Sequence, residues 1–302
     1  MKVFVAGASG VIGRLLVPKL LAAGHDVYGM THKKENERLV QRLGAKPVLA
    51  DAFDKEAVKS AIGNVRPDAI FHQLTALSEW NTADNARIRT EGTRNLVEAA
   101  LEAGVERMIA QSISWAYEPG PEPATEDVPL DIEAPLPYKT TVDGVIALER
   151  SVAEMPEHVI LRYGLLYGPG TWYDRNGLMA DRVRQAQVPA TEGITSLLHV
   201  EDAAVAALLA LGWPAGPVNI ADDEPAAEFE WLPVYADALG APAPDRQTGR
   251  KRGQRGASNA KARSEYGWKP VYPTWRSGLA HSLSVRPSET RRSKGDDIFD
   301  VD

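Results

Sequence analysis

The chain has no cysteine among its 302 residues, which removes disulfides, thiolate metal sites and cysteine nucleophiles together. That absence suits a reducing cytoplasm, and a cytoplasmic location is the expectation. Positive charge is also in short supply: 34 Lys and Arg stand against 41 Asp and Glu, a net charge of −7. Without a basic excess, neither nucleic acid nor an anionic membrane is an expected partner. No apolar run reaches the roughly 18 residues that a membrane span needs. Lys2 and the apolar residues up to Ala23 imitate a secretory signal, but Gly7, Gly10, Gly13, Arg14 and Pro18 interrupt them. The six His residues show no H-x-x-x-H spacing and no acidic partner pattern, so no metal is expected. What remains is a globular protein that acts on a small molecule, with monomer and homodimer both open.

Short apolar runs alternate with amphipathic stretches. Strands are expected at 2–6, 26–30, 47–50, 69–74, 105–111, 159–162 and 218–220. Helical spacing starts at Ile12, Leu15, Leu16 and Leu20, stops at Gly24, and returns over 35–43, 93–103, 201–211, 231–239 and 259–266. Strand and helix in strict alternation give an α/β fold with a Rossmann-like, doubly wound parallel sheet. The expected division is a dinucleotide-binding domain over 1–165, a smaller, interleaved C-terminal α/β substrate domain over 166–283, and a disordered tail over 284–302, where the chain is charged and aperiodic.

Gly7-Ala8-Ser9-Gly10-Val11-Ile12-Gly13 falls between the first strand and the first helix. Glycines there let backbone N–H groups approach a diphosphate at the helix N-terminus, so Gly7, Ser9, Gly10, Val11, Ile12 and Gly13 are expected to hold a nicotinamide dinucleotide. The second strand ends in Thr31-His32-Lys33-Lys34, with no acid before Glu35. A hydroxyl followed by cations suits a 2′-phosphate, so Thr31, His32 and Lys33 point to NADPH, with NADH possible.

Further strings follow: Thr90-Glu91-Gly92-Thr93-Arg94-Asn95-Leu96, Leu161-Arg162-Tyr163-Gly164, Tyr167-Gly168-Pro169-Gly170, His199-Val200-Glu201-Asp202-Ala203 and Gly267-Trp268-Lys269-Pro270. In this order they resemble the extended short-chain dehydrogenase/reductases, the NAD-dependent epimerase/dehydratase-like group, from residue 1 to about residue 281. The resemblance implies that Asp51 and Ala52 meet the adenine. It also implies that His72, Gln73, Leu74, Thr75, Gln111, Tyr163 and Leu166 line the cofactor. That family uses a Tyr acid, a Lys four positions later and a Ser or Thr after the fifth strand. Here no Tyr has such a Lys. Taking Tyr138 as the Tyr leaves Val142 for the Lys; keeping Glu149 in register puts Thr141 and Val145 there, the preferred alignment. The hydroxyl position falls on Ile113, between Ser112 and Ser114. The catalytic residues are therefore unknown, with Ser112, Ser114 and Thr141 as candidates. Such an atypical member resembles the tailoring reductases of actinomycete polyketide antibiotic pathways, the angucyclinone ketoreductases among them.

Loop aromatics offer a flat substrate pocket: Trp80, Trp115, Tyr117, Trp172 and Tyr173, with Ile113 beside them. His199 is expected to orient the loop between the two domains. Arg246, Arg250, Lys251, Arg252 and Arg255 form a basic cluster, read as a solvated loop or a clamp on a phosphate. The expected function is NADPH-dependent reduction of a carbonyl on a small, polycyclic aromatic substrate, with the substrate's own acid in place of the missing Tyr. The alternatives are a nucleotide-sugar epimerase or dehydratase, and a non-catalytic NADP sensor.

Overall fold

The structure is a computed structural model that describes residues 1–76 and 82–284. The main strands are β1 (Lys2–Ala6), β2 (Asp26–Thr31), β3 (Lys46–Leu49), β4 (Ala69–His72), β5 (Arg107–Ile113) and β6 (Glu157–Tyr163). Short strands β7 (Leu165–Tyr167), β8 (Ile194–Thr195) and β9 (Leu197–His199) follow, then β10 (Gly216–Ile220) and β11 (Ala226–Ala227). The helices are α1 (Val11–Ala22), α2 (Glu37–Arg42), α3 (Lys55–Val65), α4 (Thr82–Arg87), α5 (Thr93–Glu102) and α6 (Tyr138–Val152). After them come α7 (Leu178–Arg184), α8 (Val200–Leu209), α9 (Glu228–Ala238), α10 (Ala260–Ser264) and α11 (Trp275–Ser284).

Seven parallel strands make one sheet in the order β10-β6-β5-β4-β1-β2-β3. The order reverses direction between β1 and β4, which opens a crevice beyond their carboxyl ends. Alternation along β1 explains the two layers. Val3 and Val5 pack on one face with Leu16, Leu20 and Ala203, while Phe4 and Ala6 pack on the other with Ile62, Leu96 and Leu148. A third cluster, with Tyr167, Tyr173, Trp231, Tyr235 and Trp275, is the core of the C-terminal lobe. The two lobes are interleaved, because β10 returns to the main sheet beside β6.

Expected and observed elements differ at their ends. β4 stops at His72 rather than at 74, and β5 runs on to Ile113 because Ser112 and Ile113 still pair with Arg162 and Tyr163 of β6. Between α4 and α5 the chain makes a π-turn, Ile88–Gly92, which periodicity did not foretell. The expected tail, apart from its first residue, lies outside the described residues, as does Trp80. Among the described residues no helix is long and apolar enough to cross a membrane.

Candidate functional site: a dinucleotide cradle beside an aromatic cavity

The glycine loop is shaped by backbone needs. Gly7 has φ +92°, and a Cβ there would lie 2.6 Å from the Gln73 carbonyl oxygen. At Gly13 a Cβ would come within 2.2 Å of the Gly7 carbonyl oxygen. Gly10 differs: its Cβ would only graze that oxygen at 3.2 Å, so internal packing does not demand its bareness. What Gly10 leaves open is the approach to the N-terminus of α1. That helix has no side-chain cap and no acid in its first turn. Its first N–H groups, at Val11, Ile12 and Gly13, are therefore available to an anion. Gln73, buried nearby, makes no close side-chain hydrogen bond, its amide reaching only toward the Tyr163 hydroxyl. A cradle without side chains, an uncapped helix end and a buried amide with hydrogen-bonding capacity to spare together fit the diphosphate and nicotinamide of a dinucleotide.

At the ribose end Thr31 is buried, its Oγ1 3.5 Å from Ser9 Oγ and accepting from Lys33 N at 3.4 Å. His32, Lys33 and Lys34 are exposed around them. Two neighbours were missed in the sequence: Asn36, whose Nδ2 donates to Ser9 Oγ at 3.4 Å, and Arg14, whose Nε donates to Ser9 O at 2.7 Å. Neither belongs to a motif, and only the turn after β2 brings Asn36 back to the loop. Asp51 is exposed and accepts from Phe53 N, while Ala52 is buried with its carbonyl taken by Asn95. Thr75 is exposed, and Leu74, Gln111 and Leu166 are half-buried along the crevice.

Two expected cofactor residues face inward. His72 is fully buried; its Nδ1 accepts from Leu74 N at 3.4 Å, so its Nε2 donates to Thr93 Oγ1 at 2.8 Å. Burial, and then the Arg89 charge, push its pKa down to about 4, so the ring is neutral and serves to hold the turn at Leu74. Tyr163 is 1% exposed, and its hydroxyl donates to Ala203 O. Only its backbone can reach the crevice.

The candidate catalytic hydroxyls separate. Ser112 is buried and donates to Glu149 Oε1 at 2.7 Å. Glu149 also receives Arg162 Nε and Nη2, at 2.9 and 2.6 Å, and Arg162 Nη1 donates to the Tyr117 hydroxyl, which donates to Asn219 at 2.6 Å. This buried network ties β5, α6, β6 and β10 together. It corrects two expectations: Ser112 is a structural donor, and Tyr117, 0% exposed, is a core residue and no pocket wall. Tyr138 donates its hydroxyl to the Trp115 carbonyl and stacks on that ring. Burial pushes its pKa up to about 12, so it is no ready acid. Val142 and Val145 are buried with Ile113 in an apolar cluster, and Thr141 beside them is half-buried.

Ser114, Trp115 and Tyr173 do come together. They line a cavity of about 220 Å³ with Leu165, β8 and Ser196 after it, Glu228, and Arg252, Gly253, Gln254 and Gly256 of one loop. Trp172 is half-buried against the C-terminal core. The basic cluster does not act as one. Arg252 forks onto buried Asp131 at 2.7 Å through both Nε and Nη2, Arg255 donates to the carbonyls of Glu118 and Glu122, and Arg246 lies over Phe229. His199 caps α8 by accepting from Glu201 N and bonds Ser282 of α11 through Nε2. No group of three or more His, Cys, Asp or Glu among the described residues could hold a metal.

Comparison with known proteins places this geometry. Residues 3–221 match the model of the NAD dependent epimerase/dehydratase family. A Streptomyces sp. protein, the 3-diazoavenalumate denitrifying reductase, is 45% identical, over 92% of this chain and 99% of its own length. The 2-alkyl-3-oxoalkanoate reductase of Stenotrophomonas maltophilia is 27% identical, over 82% of this chain and 78% of its own. Among solved structures, the UDP-glucose 4-epimerase of Thermus thermophilus in complex with NAD superposes with a TM-score of 0.72 at 28% identity, over 94% of this chain and 98% of that one. The chain belongs to the NAD dependent epimerase/dehydratase family and is an oxidoreductase that uses a nicotinamide dinucleotide.

Proposed function

We propose that the chain reduces a planar aromatic substrate with NADPH as donor and takes no proton from a tyrosine of its own. One observation carries this reading: on α6, Val142 and Val145 are buried in apolar contacts, and the Tyr138 hydroxyl is spent on a carbonyl. Among reductions that need no protein acid, that of an aromatic diazo group is favoured, because the 45% identical Streptomyces reductase acts on a diazo compound and is named for its denitrification. NADPH supplies the hydride. A diazonium ion that gains hydride at its terminal nitrogen becomes a neutral diazene, which releases N2 and keeps the hydrogen on the ring carbon. Charge and atoms balance with no added proton. This chain's part is then to hold the ring between Trp115 and Tyr173 and to exclude water.

A second reading, a carbonyl on a polycyclic aromatic of polyketide type, is favoured by the relative that acts on a 3-oxoalkanoate. There the hydride leaves an alkoxide, and a phenol or enol bonded to the carbonyl must protonate it. The test is anaerobic NADPH oxidation with aryl diazonium acids and with ortho-hydroxyaryl ketones, with N2 followed by mass spectrometry. NADPH loss matched by N2 supports the first reading; alcohol formation supports the second. NADPH binding without turnover of either class would make the chain a sensor and defeat both.

A further inference from the structure

We infer that Glu228 makes the cavity selective for positively charged planar groups. The inference rests on reading the cavity as the substrate site, and not on which group is reduced there. Glu228 opens α9 and lines the cavity wall. Its Oε2 accepts from the Thr191 backbone N–H at 3.1 Å and the Thr191 hydroxyl at 2.6 Å, and its Oε1 accepts from Gln254 Nε2 at 2.7 Å. All three donors are neutral, and none of the ion pairs among the described residues includes Glu228. These bonds fix the carboxylate in place without cancelling its charge.

The cation among the lining residues is Arg252, and it is already neutralised; Arg255 of the same loop is outside the lining and donates to the carbonyls of Glu118 and Glu122. Asp131, buried beneath Arg252, takes two of its N–H groups in a fork. Arg182 of α7 acts on the Tyr173 hydroxyl with the opposite sign to Glu228, but it is not part of the wall and forms no ion pair with that carboxylate among the described residues. Within the lining itself Glu228 is therefore the one charge without an ionic partner, next to two aromatic residues, Trp115 and Tyr173, a type of side chain that attracts cations. At roughly 5 Å and an effective dielectric constant of about 20, a unit charge of this kind shifts binding by well over tenfold. The preference runs toward a cationic aryl group and away from a diphosphate, the reverse of what a nucleotide-sugar site needs.

The test is binding, read without turnover. Protein saturated with NADP⁺ is titrated with N-methylquinolinium and with quinoline, the second neutral at pH 8 and almost the same shape, by calorimetry and by quenching of Trp fluorescence. The cation is expected to bind at least about tenfold more tightly to the native chain, less so in high salt. Glu228→Asp keeps the preference and Glu228→Gln loses it, while NADPH affinity stays constant in both. A merely structural Glu228 would instead weaken both ligands alike. Equal affinities in the native chain, or Asp and Gln variants that behave alike, would overturn the inference. If the Gln variant does not fold, the native comparison decides alone. Cation preference without diazonium turnover would defeat the proposed reaction and leave this selectivity standing; turnover with equal affinities would do the opposite.

Discussion

The two walls of the crevice have been built by different rules. At the β1–α1 turn the ligand is met by backbone: Gly7 and Gly13 are closed to any side chain, and α1 presents uncapped N–H groups. On the α6 wall a ligand is met by side chains, and there the polar ones have been replaced or occupied. Val142 and Val145 are buried with Ile113, and Tyr138 is bonded to Trp115. A backbone site tolerates drift in sequence as long as the glycines persist. A side-chain site can be emptied by two substitutions without disturbing the fold, because valines pack a helix face well. Loss of a positioned general acid costs about 10²–10⁴-fold in rate when the reaction needs one. A chain that keeps the first wall and not the second is therefore suited to substrates that bring their own driving force.

The strongest way to break this contrast is through Gly10. A valine there meets little protein, with only the Gly7 oxygen at 3.2 Å from its Cβ, but it stands where the diphosphate approaches. We expect Gly10→Val to weaken NADPH by more than about 10²-fold, beyond the 2.7 kcal/mol that this ratio represents, while the melting temperature hardly moves. Gly13→Ala should do the reverse damage and unfold the turn, since its Cβ would lie 2.2 Å from the Gly7 oxygen. Calorimetric titration and thermal melting, run on both variants, separate the two roles. A folded Gly10→Val protein that binds NADPH normally would mean that the loop is only a turn.

The next effect sharpens the cofactor wall itself. Lys33 and Lys34 are exposed beside buried Thr31, and Arg14 is held at Ser9. We expect NADPH to bind about 10–100-fold more tightly than NADH at low salt, as charge-assisted bonds to one phosphate allow. Lys33→Ala with Lys34→Ala should narrow that ratio, and added salt should narrow it further. Equal affinities for the two cofactors at low salt would remove the assignment.

The cofactor wall was legible in the sequence and the cavity mostly was not, for a physical reason. A strand, three glycines and a helix start are local, so seven consecutive residues announced them. The cavity is assembled across distance: Glu228 meets Thr191 and Gln254, and Arg252 meets Asp131. No spacing rule links partners 121 residues apart. Tyr117 was misplaced because a loop aromatic after a strand looks the same whether it turns inward to Asn219 or outward to a ligand. Ser112 shared that fate, since strand pairing continued two residues further than the apolar run implied and carried its side chain to Glu149. The fold was easier, because alternation in β1 and periodicity in α1 already describe which faces are buried.

On the α6 wall the expected effects are smaller. Thr141→Val and Ser114→Ala should each reduce turnover less than about tenfold, well below the loss of a true acid. Ser114 is 3% exposed at the cavity edge and Thr141 is half-buried, so both variants should fold. Steady-state rates with the better of the two substrate classes decide the matter. A collapse of turnover with NADPH affinity intact would restore an acid to the protein and erase the difference between the walls.

The smallest effect concerns buried titrating groups in the two lobes, and it should leave turnover untouched. In the sheet domain His72 has both ring nitrogens engaged. Where the lobes meet, Asp222 accepts from Glu224 N through Oδ1 and feels the Trp275 backbone N–H, but its buried Oδ2 makes no close hydrogen bond, and neither does the Tyr167 hydroxyl whose titration it influences. Burial pushes the Asp222 pKa up from 3.8 to about 8. The folded chain therefore holds a proton at Asp222 that the unfolded chain releases above pH 3.8. The stability this proton represents is complete below that value and is lost as pH rises through about 8. His72 works on the other limb: its folded value near 4 lies below its ordinary 6.5, so stability is lost as pH falls between them. Asp222→Asn keeps the shape and the bond to Glu224 N and removes the titration. Its melting temperature should pull ahead of the native chain's progressively between pH 4 and pH 8, and the gap should then level off. The acid limb, to which His72 and the equally lowered His199 contribute, should not change. A gap that is constant across this range would mean that Asp222 is already ionised in the folded chain.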